Sequence, residues 1–157
     1  MTGVAMRVGF DDGLITRHLA RLALLDSTGF ASVRREVGEY LVADVQDNID
    51  GQKLFDGSPM PQSKAAIGRY SKANKQRGGK TLIEHHHLYD SYTYQLTGTG
   101  VEIGSALVYA AIHHFGGETG SKGHRFNMVA RPVLGIAARQ ERELGDFFIA
   151  EIRRAQP

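Results

Sequence analysis

The sequence predicts an α+β fold in a single domain spanning residues 1–157, with a helical hairpin and a C-terminal helix packed on a small antiparallel β-sheet. Two stretches with apolar residues at helical spacing lie near the start of the chain and a third near its end. An alternating run with turn residues lies between them. The hydrophobic fraction of 41% and the charged fraction of 23% are ordinary for a globular domain of this length.

The three helices are predicted from apolar side chains spaced three or four residues apart. The first begins at Leu14 and ends at the turn residues 26–29, the second runs from about Ala31 to Asn48, and the last runs from about Ala137 to Ala155. Their apolar stripes are Ile15, Leu19 and Leu22 with Leu25 or Ala23; then Val33, Val37, Leu41 and Val45; then Leu144, Phe148 and Ile152. We expect the last stripe to pack against the helical hairpin and the sheet.

A β-hairpin is predicted after a short helical turn that begins at Leu88. Apolar residues alternate with polar ones from Tyr92 to Leu96, residues 97–100 have turn composition, and Val101–Ser105 forms the returning strand. Residues 125–129 are predicted as a third strand.

Two connecting segments lack helical or strand periodicity. Residues 1–12 are predicted as an N-terminal arm in which Val4, Met6, Val8 and Phe10 alternate weakly. This arm is either a frayed terminus or a strand that pairs with the sheet edge of a neighbouring subunit. Residues 50–61 are predicted as a loop anchored by Leu54 and Phe55.

The basic charge of the chain is concentrated in residues 64–80, which we predict to be an exposed basic loop. This stretch holds six basic side chains and no acidic one. It could neutralise phosphates of channel DNA without sequence preference, face an acidic partner protein, or remain solvated. The candidate DNA- or partner-facing residues are Lys64, Arg69, Lys72, Lys75, Arg77 and Lys80.

Several kinds of chemistry are disfavoured by the composition. The chain has no cysteine, so thiolate and Cys-based zinc sites are absent, and synthesis in a reducing cytoplasm is expected. No apolar run is long enough for a membrane span, and no signal segment follows Met1. The G-x-S-x-G and phosphate-binding glycine motifs are also missing.

The histidines are the main candidates for a catalytic or metal-binding cluster. Six of them lie close together in sequence, beside Glu84: His85, His86, His87, His113, His114 and His124. Consecutive side chains point in different directions, and there is no H-E-x-x-H motif, so we predict no metal, no cofactor and no enzymatic activity. The alternatives are a histidine-metal hydrolase or nuclease, and a nucleic-acid-binding accessory protein that uses the basic segment 64–80.

The second half of the chain carries short motifs in a recognisable order. They are Leu82-Ile83, Leu88 and Ser91; Ile103-Gly104-Ser105; Tyr109-Ala110, Ile112-His113-His114 and Gly116-Gly117; then Ala130-Arg131-Pro132 and Leu134-Gly135. Over residues 68–155 this order resembles the phage virion morphogenesis family, which acts at the head–tail neck of tailed phages. One departure is residues 84–87, where the family usually has a small residue and glycine.

The resemblance implies a structural function. Copies would assemble as a ring, expected to hold six, at the neck or upper end of the tail, completing the tail and joining it to the head. The tail-terminator, neck and tail-completion positions all stay open. The implied partners are further copies and the adjacent neck and tail proteins. The protein would be made in the host cytoplasm and end in the virion, without a membrane.

The resemblance also assigns structural roles to individual residues. The family-signature positions are Tyr109, Ile112, His113, Gly116, Gly117, Arg131, Pro132, Leu134 and Gly135. Pro132 is predicted to set the entry into the last helix. Arg131 is predicted to donate its planar fork to a carboxylate or to backbone carbonyls, in the same chain or across the ring.

Overall fold

The computed structural model describes residues 13–28, 30–68, 70–71, 76–77 and 79–156. The helices are α1 (Gly13–Thr28), α2 (Ala31–Asp50), α3 (Lys64–Gly68), α4 (His87–Asp90), α5 (Ala110–Phe115) and α6 (Ala138–Ala155). The strands are β1 (Tyr70–Ser71), β2 (Gln76–Arg77), β3 (Tyr92–Leu96), β4 (Val101–Ser105), β5 (Gly117–Ser121) and β6 (His124–Met128). The α+β prediction is confirmed, and the arm predicted at residues 1–12 lies outside the described residues.

Helix α2 is the element around which the core forms. Its predicted stripe is buried, and it supplies side chains to two apolar clusters. Val33, Val37 and Leu41 pack beneath the β3–β4 hairpin and α6. Val45 and Ile49 pack with Met60, Leu88, Tyr92 and Val133 in the other cluster. Leu54 packs against this second cluster, as the predicted loop anchor requires.

The predicted hairpin is confirmed, with β3 and β4 antiparallel from Tyr92↔Ser105 to Leu96↔Val101. The ring of Tyr94 lies so close to Gly38 of α2 that a side-chain carbon there would overlap it. The strand predicted at 125–129 is also present, as β6. It pairs with β5 in a separate hairpin instead of joining β3–β4, because α5 and the Gly116 turn place a new partner strand directly before it.

The packing of α1 differs from the prediction. Ile15, Leu19 and Leu22 are 62%, 61% and 38% exposed, so no described residue covers the predicted apolar face. Helix α1 lies against α6, and its described half-buried residues are Gly13, His18 and Leu25. The face of α2 is already occupied by β3, β4 and α6, which leaves α1 with α6 as its main neighbour.

Helix α6 has the predicted bounds to within one residue, but its packed face is different. Gln140 is fully buried, and Leu144 and Phe147, on the same helical face, pack against the Val33 cluster. Phe148, predicted to be in the core, is 39% exposed and touches only the ring edge of Phe30 among the aromatic contacts described, at 5.6 Å between centroids. Polar bonds from Gln140 to α2 set this rotation of the helix.

The prediction of a loop across residues 64–80 is wrong at its start, because Lys64–Gly68 forms a helical turn. The hydroxyl oxygen of Ser63 accepts a hydrogen bond from the Ala66 backbone N–H at 3.0 Å, as an N-cap residue does. Ala66 is fully buried. Tyr70–Ser71 and Gln76–Arg77 form a short antiparallel ladder.

Candidate functional site

A groove of about 760 Å³ lies beside the residues that carry the family motifs. Its wall on one side is β6 and the residues that follow it, and on the other side the segments around residues 62–65 and 81–88. The exposed surface of the lining is mainly apolar, although most of the lining residues are polar or charged. The principal apolar residues are Leu82, Leu88, Tyr109, Phe126, Met128 and Val129, with His85, His87, His113 and Arg131 among the polar ones.

Gly116 makes the sharp turn that folds β5–β6 back beside α5. Its φ of +70° is a conformation that favours glycine. A side-chain carbon at this position would lie 2.8 Å from the Met128 carbonyl oxygen and the Ala130 nitrogen. The Ile112 side chain packs against the following residue, Gly117. The glycine pair is therefore required for the chain to pass this close to itself at the edge of the groove.

Arg131 is a buried cation that holds three separate backbone segments together. Its Nε donates to the Pro61 carbonyl at 2.7 Å, and its terminal nitrogens donate to the carbonyls of Val129 at 3.0 Å and Gln62 at 3.5 Å. Its backbone N–H donates to the His113 carbonyl at 2.8 Å. Burial lowers the pKa of the guanidinium. The sequence left the partner of Arg131 open between a carboxylate and backbone carbonyls. In the structure, its partners are backbone carbonyls of the same chain.

The segment after Arg131 anchors the predicted loop at residues 50–61. The Pro132 carbonyl accepts a hydrogen bond from the Phe55 N–H at 3.0 Å, and Leu134 packs against the cluster around Ile49. A side-chain carbon at Gly135 would lie 2.5 Å from the Phe55 ring, so only glycine fits. Pro132 lies in the segment that leads to α6 and not at its first turn: α6 begins at Ala138, close to the predicted Ala137, and its start is organised by Gln140, whose side-chain oxygen accepts a bond from the Ala137 N–H.

The histidines are in different environments. Burial, followed by the charge of Arg131, lowers the pKa of His113, and burial lowers that of His114. Within the described residues, the buried Nδ1 of His113 has no hydrogen-bond partner. His86 packs edge-on against Tyr89, and His124 lies in β6. The described residues contain no group of three or more His, Asp or Glu side chains placed to hold a metal ion.

Comparison with known families decides the relationship that these motifs suggest. The model of the phage virion morphogenesis family matches residues 11–153, which is most of the chain. The chain belongs to this family. Neither a curated protein nor a solved structure matches it.

Membership establishes a structural or assembly role for this phage virion morphogenesis protein. The geometry explains why its motif residues are needed. Arg131, Gly116 and Gly135 serve backbone architecture, and Tyr109 and His113 line the groove. Across the ranges that the structure describes, no helix is both long and apolar enough to cross a membrane.

The basic residues of this virion morphogenesis protein are only partly described. Lys64 is exposed at the groove, and the Nζ of Lys80 lies 3.2 Å from the Asp50 carboxylate. Arg69, Lys72 and Lys75 lie outside the described residues, and Arg77 is placed only as part of β2. Their predicted contact with DNA or with a partner therefore stays a prediction.

A buried polar network, which sequence reasoning missed, positions the two long helices α2 and α6 relative to each other. The Gln140 side-chain nitrogen donates to Asp44 at 3.0 Å and to the Phe55 carbonyl at 2.9 Å. Arg139 and Asn48 also bind Asp44, and Asn48 donates to the Val133 carbonyl at 3.1 Å. The only sequence signal is a polar side chain at a helical position that shares a face with apolar ones.

Proposed function

We propose that this protein is a non-enzymatic structural subunit that assembles as a ring, expected to hold six copies, at the neck or upper tail end of a phage. There it completes the tail and joins it to the DNA-filled head. The family match supports a virion role, and the observation that carries the assembly role is the exposure of large apolar side chains on two separate surfaces. Such surfaces mark interaction sites in soluble proteins.

The two surfaces are the α1 stripe, defined as Ile15, Leu19 and Leu22, and the groove with its rim. Phe126 and Val129 remain more than half exposed at the groove. Ring formation requires two different patches that meet between neighbouring copies, and these two are candidates among the exposed apolar side chains of the subunit. The groove residues of the family motif then act as parts of a contact surface, without any need for chemistry at them.

The proposal is tested with a phage whose copy of this gene is deleted and supplied in trans. Without the protein, we expect filled heads and unjoined or malformed tails, and the wild-type gene should restore infectious particles. A reconstruction of the complete virion should place a ring of this chain at the neck or tail end. Normal particle yield without the protein, or particles that lack the chain, would overturn the proposal.

We propose in addition that the basic segment 64–80 faces the DNA in the channel of this ring. The segment holds six basic side chains and no acidic one, and these would bind phosphates regardless of sequence. The affinity of the assembled protein for DNA should therefore fall steeply with salt concentration. A salt-independent or undetectable affinity would indicate that the segment faces a protein instead.

A further inference from the structure

The groove has the form of a receptor for a helix. It is concave, holds about 760 Å³, and its exposed lining surface, from four segments of the chain, is mainly apolar. Phe126 and Val129 are 55% and 56% exposed within it or at its rim. An amphipathic helix can bury its apolar face in such a groove, using anchors spaced i, i+3 or i+4, and i+7.

The α1 stripe presents this spacing. Ile15, Leu19 and Leu22 stand at positions i, i+4 and i+7, and therefore form one ridge along α1. All three are exposed, and the half-buried His18 and Leu25 border the ridge along one side. The ridge is thus convex and apolar, as the groove is concave and apolar.

The ridge and the groove occupy different parts of the subunit. The C-terminal end of α1 joins the start of α2 at Phe30, whereas the groove begins beyond the end of α2, where Gln52 binds Thr81. The twenty residues of α2 separate the α1–α2 junction from the end of α2 near the groove, a distance of about 30 Å along that helix. No described residue of α1 lines the groove. A contact that joins two different patches is heterologous, and its repetition produces a ring when the rotation closes.

We propose that the α1 stripe of one copy occupies the groove of the next copy, with Leu19 as the central anchor. The inference rests on the proposed ring and names its contact. Each subunit contributes one ridge and one groove, so every contact around the ring is the same.

The absence of cysteine makes this contact directly testable by cross-linking. Single variants Leu19→Cys and Phe126→Cys and the double variant are supplied in trans to the deletion phage, and purified particles are treated with a short thiol-to-thiol cross-linker. The double variant should give a ladder that extends to the full ring. Particles containing a mixture of the two single variants should stop at dimers, because each copy then carries one thiol.

Controls separate this contact from others. Each single variant alone should remain monomeric, and so should Leu19→Cys combined with Gln95→Cys, which places the second thiol on the exposed part of β3. Dimers from Leu19→Cys alone would show a symmetric α1–α1 contact and overturn the inference. Monomers from the double variant in particles that contain the protein would overturn it while leaving the proposed function standing. Absence of the wild-type protein from particles would count against the proposed function itself.

A charge substitution gives an independent measurement. Leu19→Glu should lower incorporation into particles by roughly tenfold or more, as expected when a central apolar anchor becomes charged. Ala20→Glu adds the same charge to the adjacent, exposed position outside the ridge and should be incorporated normally. Both purified variants should melt like wild type, since neither side chain is buried within the subunit. Equal incorporation of the two variants would contradict the inference.

Discussion

Gln140→Glu is the substitution that tests most directly how the two long helices are held together. It retains the side-chain shape and the oxygen that accepts the Ala137 N–H at 3.1 Å. It replaces the nitrogen that donates to Asp44 at 3.0 Å and to the Phe55 carbonyl at 2.9 Å. The new carboxylate oxygen would then face two other acceptors, the Asp44 carboxylate and the Phe55 carbonyl, at a position that is 0% exposed.

The expected loss follows from these two bonds. A hydrogen bond to a charged acceptor contributes about 1.5–3 kcal/mol, and one to a neutral carbonyl about 0.5–1.5 kcal/mol. Repulsion between two buried carboxylates adds to this loss, although Asp44 keeps its bonds to Arg139 and Asn48. We therefore expect the free energy of unfolding to fall by about 4 kcal/mol, a large part of the stability of a domain of this size.

The assay is urea denaturation monitored by circular dichroism, and the wild type and the Gln140→Glu variant must show the same m-value. The introduced carboxyl should have a raised pKa in the folded state, because ionisation beside Asp44 is unfavourable. The penalty should therefore be smallest near pH 4 and grow as the pH rises through the folded pKa. Gln95→Glu makes the same charge change at an exposed position and should be nearly neutral. A Gln140→Glu protein within about 1 kcal/mol of wild type at pH 7 would refute the structural role of this network.

Three further outcomes are expected. Arg131→Lys keeps the charge but loses the fork that reaches three carbonyls, so thermal stability should fall by about 2–4 kcal/mol in the isolated protein; unchanged melting with defective assembly would point to a partner in another copy. Phe148→Ala should cost about 1–2 kcal/mol in urea denaturation, less than a fully buried phenylalanine, because the ring is 39% exposed; a loss above about 3 kcal/mol would contradict this packing. Burial lowers the pKa of His113, so its contribution to stability is complete above about 6.5 and is lost as the pH falls through the lower folded value. His113→Gln should flatten the decline in melting temperature between about pH 7 and 5, with part of the residual slope due to His114; a decline equal to that of the wild type would contradict this contribution.

Local patterns in the sequence were sufficient for most of the elements. The spacing of Val33, Val37, Leu41 and Val45 predicts α2, and all four are buried. The alternation from Tyr92 and the turn at 97–100 predict β3 and β4. These predictions succeed because helix and strand periodicities are properties of neighbouring residues, and each of these elements buries the face that its pattern marks.

The same patterns did not predict whether a side chain is buried where its burial depends on which distant segment packs over it. The α1 stripe has the spacing of a packed face, yet Leu19 stays exposed because α2 is already covered by β3, β4 and α6. Gln140 would not be assigned to a core from its polarity, yet it is fully buried because Asp44 and the Phe55 carbonyl accept its hydrogen bonds.

The sequence by itself determined the fold class, the bounds of the long helices, the hairpin at 92–105 and the family, since each depends on short-range pattern or on motif order. Only the tertiary structure decided the groove, the pairing of β6 with β5 and the carbonyl partners of Arg131. Those features join segments as far apart as residues 61 and 131, and a guanidinium can donate to any carbonyl that the fold brings within reach. The local sequence does not indicate which carbonyl the guanidinium will bind.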